Sequence, residues 1–215
     1  MSKIKIPKFI KEEKVLFVEG KDEETFFTVL LKKYGLQEIQ IIQSGGKEQF
    51  SFIFPEIIKI PGFSKIRSLA VIQDADKSTQ AVFQSVCYTL EKENLGIPGE
   101  ISHFTSTTPQ VGIFTLPDGK NSGNLESLCL STVQSENITD CIEPFINCVK
   151  QKTSVKNTKY KFPRNLNKAK CKAFLSAMEE DTSALGIAAE KGYWNLDSDK
   201  LNPVLDFLKK LDREN

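Results

Sequence analysis

Four times along this chain an apolar run ends abruptly in a turn rich in glycine or acid. The first is Lys14-Val15-Leu16-Phe17-Val18, closed by Glu19-Gly20-Lys21-Asp22. Runs of this length without polar alternation read as strands buried on both faces. The stretch Glu23 to Tyr34 then carries its acids in the first turn and its lysines in the last, as a helix dipole prefers, with Gly35 as the stop. The pattern returns in Glu38–Ile42 before Ser44-Gly45-Gly46, and in Ser68–Gln73 before Asp74-Ala75-Asp76. Its fourth occurrence is Val111–Leu116 before Pro117-Asp118-Gly119-Lys120. Between the runs lie a helical stripe at Phe50, Ile53, Phe54, Ile57 and Ile58, interrupted by Pro55, and a helix capped by Ser78 or Thr79 that extends to Glu93. Strands alternating with helices imply an α/β fold: an open, mostly parallel four-stranded sheet flanked by helices on both faces.

A further helix starts at Leu125, and beyond it the pattern loosens. Residues 1–130 are expected to form the α/β domain, with 131–215 a basic, partly helical extension packed on the same domain. Cys141–Lys150, Lys168–Met178 and Asn202–Leu211 read as helices, the last with Pro203 at its start. Residues 151–167 read as an extended loop. Charge is divided along the same line. Residues 1–149 hold 15 Lys/Arg against 19 Asp/Glu, whereas 150–215 hold 14 against 9. From Lys150 to Lys172 there are nine basic residues and no acid, so an acidic part suited to cations is joined to a segment suited to polyanions.

The rarer residues narrow the chemistry. The single histidine, His103, excludes multi-histidine zinc sites and leaves a surface or capping role. Five cysteines, odd in number and never spaced CxxC, read as scattered buried thiols in a reducing compartment. Any metal would therefore be held by carboxylates, which favours a hard cation, Mg²⁺ or Mn²⁺. No apolar run reaches the roughly 18 residues of a membrane span, and the charged first residues do not resemble a secretory signal, so the expected location is cytoplasmic. Phe9, Phe174, Phe207 and Trp194 are expected to pack the core or an interface.

In an open parallel sheet the carboxyl ends of the strands border the ligand crevice. Those ends carry Glu19-Gly20, Gly45-Gly46, Asp74-Ala75-Asp76 and Asp118. Like charges held about 5 Å apart raise one another's pKa unless a cation neutralises them. Each element alone also fits a helix-capping turn. Their joint position at strand ends points to a metal crevice built to receive phosphate.

The segment Val18-Glu19-Gly20-Lys21-Asp22-Glu23, followed by Val71-Ile72-Gln73-Asp74-Ala75-Asp76, resembles the Toprim domain of primases, topoisomerases, recombination mediators and OLD nucleases. The resemblance covers residues 14–130. Gly123-Asn124-Leu125-Glu126 adds an acid after the fourth strand, which makes small stand-alone proteins akin to the OLD nuclease branch the nearest likeness. This implies a Toprim/Rossmann-like fold, with Glu19 as metal ligand or general acid–base and Asp74 and Asp76 as metal ligands. It also implies a second cation site at Asp118 and Glu126, with Glu23 where the family often has an aspartate. Gly20, Gly46 and Lys47 would contact phosphate. Lys159, Lys161, Arg164 and Lys168 are candidate nucleic-acid contacts, with Tyr160 and Phe162 available to stack on bases. Lys168 or Lys170 is the candidate transition-state cation, and Lys170 is assigned it.

None of the four tyrosines carries the surroundings of a topoisomerase nucleophile, so hydrolysis by metal-bound water is the expected reaction. The leading expectation is a Mg²⁺- or Mn²⁺-dependent nuclease on DNA or RNA, alone, as a homodimer or with a protein partner. A catalytically silent Toprim-fold module that recruits nucleic acid or protein is the alternative. An enzyme acting on a small phosphorylated molecule is a third reading, and neither GxxxxGK[ST] nor GxGxxG occurs to support it.

Overall fold

A computed structural model describes residues 6–46, 49–155 and 159–213. Its centre is a four-stranded, all-parallel sheet of β1 (Lys14–Val18), β2 (Ile39–Gln43), β3 (Ser68–Asp74) and β4 (Gln110–Leu116), in the order β2-β1-β3-β4. The Toprim/Rossmann-like α/β architecture expected from the sequence is thus present. Neighbours β1 and β2 are joined through α1 (Lys21–Lys33), and β3 and β4 through α3 (Thr79–Lys92). Strand order reverses between β1 and β3, and at such a switch point the two departing connections leave a crevice.

Successive side chains of a strand point to opposite faces, so each central strand feeds two cores. Leu16 and Val18 of β1, Ala70 and Ile72 of β3, and Phe114 and Leu116 of β4 face one side. There they meet Phe26, Phe27 and Leu30 of α1. Val15, Phe17, Leu69, Val71, Val111 and Ile113 face the other side. They pack on α2 (Phe50–Ile57) and α3, where Phe17 meets Phe50 and Phe54 edge-on at centroid distances of 6.0 and 5.4 Å. Burying each large apolar side chain contributes roughly 1.5–3 kcal/mol, which is why runs this apolar occupy the centre of the sheet.

The first face is covered largely by the C-terminal part. Helices α4 (Leu125–Thr132), α5 (Ile142–Thr153), α6 (Leu166–Leu175), α7 (Leu185–Glu190) and α8 (Asn202–Asp212) complete its layer. Phe174 stacks on Trp194, and Phe207 packs against Phe114 at 5.2 Å. Residues before and after 130 therefore share one continuous core. Helix α7 lies directly on α1: a Cβ at Gly186 would come within 2.4 Å of Thr25 Cβ.

Several sequence expectations are corrected. Pro55 does not break α2, which continues to Ile57 and ends two residues after it. The expected loop 151–167 is shorter, because α5 continues to Thr153 and α6 begins at Leu166. Only Cys129 and Cys171 are buried; Cys87 is half-buried, and Cys141 and Cys148 are exposed. Of the two places expected for Phe9, core or interface, the core is excluded, because Phe9 is exposed beside Lys11. His103 is exposed and hydrogen-bonds the Ile101 carbonyl, in keeping with a surface role. Among the described residues no helix is long and apolar enough to cross a membrane.

Candidate functional site

The crevice at the switch point is built by the ends of β1 and β3. Glu19 follows β1, and its Oε1 accepts the Asp74 backbone N–H at 3.0 Å, tying together residues 55 positions apart. The Glu19 carbonyl accepts from Gly46 N–H at 2.8 Å, so the Gly45-Gly46 turn closes over the same strand end. Both glycines have positive φ, 76° and 116°, the left-handed region where a side chain is disfavoured.

Gly20 caps α1 in extended backbone, and a Cβ there would lie 3.3 Å from Glu23 Oε2. The Glu23 carboxylate therefore folds back over the start of its own helix. Burial is the first cause that raises its pKa, reinforced by the charges of Asp22 and Glu126 and opposed by hydrogen bonds from its own and the Gly20 backbone.

Asp74 is the last residue of β3. Its Oδ1 accepts Leu125 N–H at 3.0 Å, at the first turn of α4, where Glu126 also sits. Burial, and then the charges of Glu19, Glu23 and Glu126, push Asp74 up to about 9. Hydrogen bonding by Leu125 opposes this and loses. Four carboxylates from three strand–helix junctions thus act on one another electrostatically. Among the described residues no three His, Cys, Asp or Glu side chains are already set around one point as ligands of an ion. The acids are assembled as neighbours, and holding a cation requires their side chains to close in.

Asp76, two residues on, is exposed with φ 51°. Its N–H bonds Gly123 O at 2.7 Å, and Ala75 N–H bonds Leu116 O at 3.1 Å, so the DxD turn is fastened to the end of β4. Asp118 is turned elsewhere. It accepts from Lys120 and Asn121 N–H at 3.0 and 2.8 Å and from Asn121 Nδ2 at 2.7 Å. Burial pushes its pKa up, but these bonds outweigh it and leave it lowered. Asp118 thus orders its own loop.

The basic residues are spread more widely. Lys170 pairs with Glu143 across α6 and α5. Arg164 lines a cavity of about 620 Å³ together with Asp76, Lys77 and Asn165. Lys168 is exposed, its backbone N–H bonded to the Asn165 cap. Lys161 is exposed, and Lys159 lies 5.2 Å from the ring of exposed Tyr160. Lys47 lies outside the described residues.

Sequence reasoning missed Asn124 and Asn167. Asn124 and Ser127 form a capping box that starts α4 and so sets Leu125 and Glu126 beside Asp74. Asn167 Nδ2 reaches Asn124 Oδ1 at 3.4 Å, joining α6 to that cap. The Asn-x-x-Ser spacing at 124–127 was the available signal.

Fold and site together define a doubly wound α/β protein with an acidic crevice at its switch point. By sequence the chain belongs to the family described as "Protein of unknown function (DUF3226)", whose model matches residues 13–213. No curated protein matches it. In structure it is similar to the C-terminal region of the Xanthomonas campestris pv. campestris OLD protein, at 14% identity and TM-score 0.45, over 95% of this chain and 97% of that one. The C-terminal region of the Burkholderia pseudomallei OLD protein is similar at 13% identity and TM-score 0.44, over 95% and 100%. At these values the likeness carries no inference about activity, and the chemistry rests on this chain's own residues.

Proposed function

We propose that this protein is a Mg²⁺- or Mn²⁺-dependent hydrolase of nucleic-acid phosphodiesters. One observation carries the reading: Glu19, Glu23, Asp74 and Glu126 share a crevice in which Asp74 is pushed up to about 9. Packing acids together opposes folding, and such sites are retained where a ligand relieves the repulsion. The donors are oxygens, with neither thiolate nor imidazole among them, and this set fits a hard divalent cation. Glu19, Asp74 and Asp76 would hold the ion, with Glu23 and Glu126 beside a second. Bound there, it would supply Lewis-acid polarisation of a phosphoryl oxygen and acidify a water molecule.

The protein's own groups do the positioning. The Asp74 N–H fixes one Glu19 oxygen, and Leu125 N–H fixes one Asp74 oxygen, so the two carboxylates are oriented by backbone of a neighbouring strand end and helix start. Arg164 and Lys168 offer cations to the strand's phosphates. For Lys170 to reach the crevice it must leave Glu143, and a partly exposed ion pair of this kind is worth about 1 kcal/mol or less.

The reading is tested by incubating single-stranded, duplex and supercoiled DNA, and RNA, with the protein in Mg²⁺, Mn²⁺ or EDTA. Metal-dependent cleavage reduced at least about 100-fold in both Glu19→Ala and Asp74→Ala is the expected result. Equal cleavage in wild type and both variants overturns it. A second reading, a silent nucleic-acid-binding module, draws on the structural duty of the same two acids as acceptors of backbone N–H groups. Salt-sensitive binding without metal-dependent cleavage selects that reading.

A further inference from the structure

Next to Asp74 along the chain, the DxD turn, the start of α3, the Asn124 cap and the start of α6 together line the cavity of about 620 Å³. Its volume falls in the roughly 300–1,000 Å³ range of sites that enclose a small organic ligand. Ala75, Ala81, Val82 and Leu166 supply the apolar part of the lining. Leu166 is 38% exposed, so part of its apolar surface is open to a ligand.

The rest of the lining is polar. Asn124 and Asn165 both belong to it, and both spend Oδ1 on helix caps, accepting from Ser127 and Lys168 N–H at 3.1 and 2.9 Å. Those caps fix the orientation of each amide, so what these two residues have left to offer is Nδ2, a donor. Asn167 uses Nδ2 toward Asn124, which leaves its Oδ1 as an acceptor. Two cations, Lys77 and Arg164, complete the lining. Among the described residues neither is in an ion pair, whereas Lys14, Lys33, Lys59, Lys170 and Lys191 all are.

An apolar part of the lining, fixed amide donors with an acceptor, and two uncommitted cations match the three parts of a nucleotide: base face, base edge and phosphate. We propose that this cavity is a subsite for one unstacked nucleotide of a single strand, with Arg164 and Lys77 on its phosphate, Leu166 against its base, and Asn165 and Asn167 on the base edge. It rests on the proposed function, and names the substrate class as single-stranded nucleic acid or a strand opened locally. A paired base cannot enter without leaving its partner, so duplex is expected to bind more weakly.

The test uses fluorescence anisotropy with labelled ten-nucleotide single strands of DNA and RNA and a DNA duplex of equal length, in EDTA so that no cleavage intervenes. Wild type is expected to bind the single strands at least about tenfold more tightly than duplex. Arg164→Ala is expected to weaken binding several-fold and to reduce the salt slope by about one. Ala81→Phe, which fills the cavity from an exposed position, is expected to abolish single-strand preference. Calorimetric Mn²⁺ binding by Ala81→Phe is measured alongside and is expected to match wild type, which separates this subsite from the acidic crevice. Competition by a nucleoside monophosphate but not by inorganic phosphate supports the base half. Equal competition by both, unchanged single-strand preference in Ala81→Phe, or no oligonucleotide binding by wild type would each overturn the proposal, whatever the fate of metal-dependent cleavage in Glu19→Ala.

Discussion

Replacing Asp74 by asparagine makes the cost of the acidic crevice measurable. The amide is nearly isosteric, retains an acceptor for Leu125 N–H, and removes the titrating carboxyl packed among Glu19, Glu23 and Glu126. The folded protein holds this carboxyl at about 9 against an ordinary value of 3.8, so it binds more protons than the unfolded chain across that interval. Stability is then greatest below the unfolded pKa and falls as pH rises toward 9. Between the ordinary value and pH 7 there are about three pH units at 1.36 kcal/mol each, an upper figure of about 4 kcal/mol. Because the four acids titrate together, part of this is shared with the neighbours of Asp74. Urea denaturation in EDTA, followed by fluorescence of the single, buried Trp194, reads the effect directly. Asp74→Asn is expected to be more stable than wild type by about 2–4 kcal/mol at pH 7, with the gap closing toward pH 4. A variant that is less stable than wild type at pH 7, or a gap independent of pH, would refute the electrostatic reasoning.

Other substitutions probe the scaffold around the site. Gly186→Ala drives a methyl group to 2.4 Å from Thr25 Cβ and 2.8 Å from Asp22 O, and is expected to cost about 1–3 kcal/mol by urea denaturation as α7 is pushed from α1. Asn124→Ala removes the capping box of α4 and is expected to cost about 1 kcal/mol, with metal affinity falling as Leu125 and Glu126 lose their placement. Asp118→Asn leaves an acceptor for its own loop and is expected to change Mn²⁺ affinity by less than threefold in calorimetry, about 0.65 kcal/mol or less at 1.4 kcal/mol per tenfold. A large loss there would return Asp118 to the metal site.

The legible part of this protein was the part dictated by burial. Val15 to Val18 and Leu69 to Ile72 are apolar on both faces because both faces are covered, and that fixes the strands and therefore Glu19 and Asp74 at their ends. Contacts set by loop closure and helix docking were not legible. Asp118 has the right residue type in the right segment, yet Asn121 three residues on captures both its oxygens. Lys170 finds Glu143, 27 residues earlier, only because α5 and α6 pack side by side. Helix α7 has six residues, too few to display a helical period, and is held by the close approach that Gly186 permits. Asn167 belongs to the site only through a hydrogen bond to a cap 43 residues away, a link that composition and spacing do not encode.

The central claim is that the strand-end acids form a divalent-cation site, and titrating Mn²⁺ into the protein by calorimetry at pH 7.5 tests it most directly. The account predicts saturable binding with proton release on complexation, detected as a heat that varies with the ionisation enthalpy of the buffer, and loss of that binding in both Glu19→Ala and Asp74→Ala. Binding of equal strength in the two variants and wild type, or none in wild type, would contradict it.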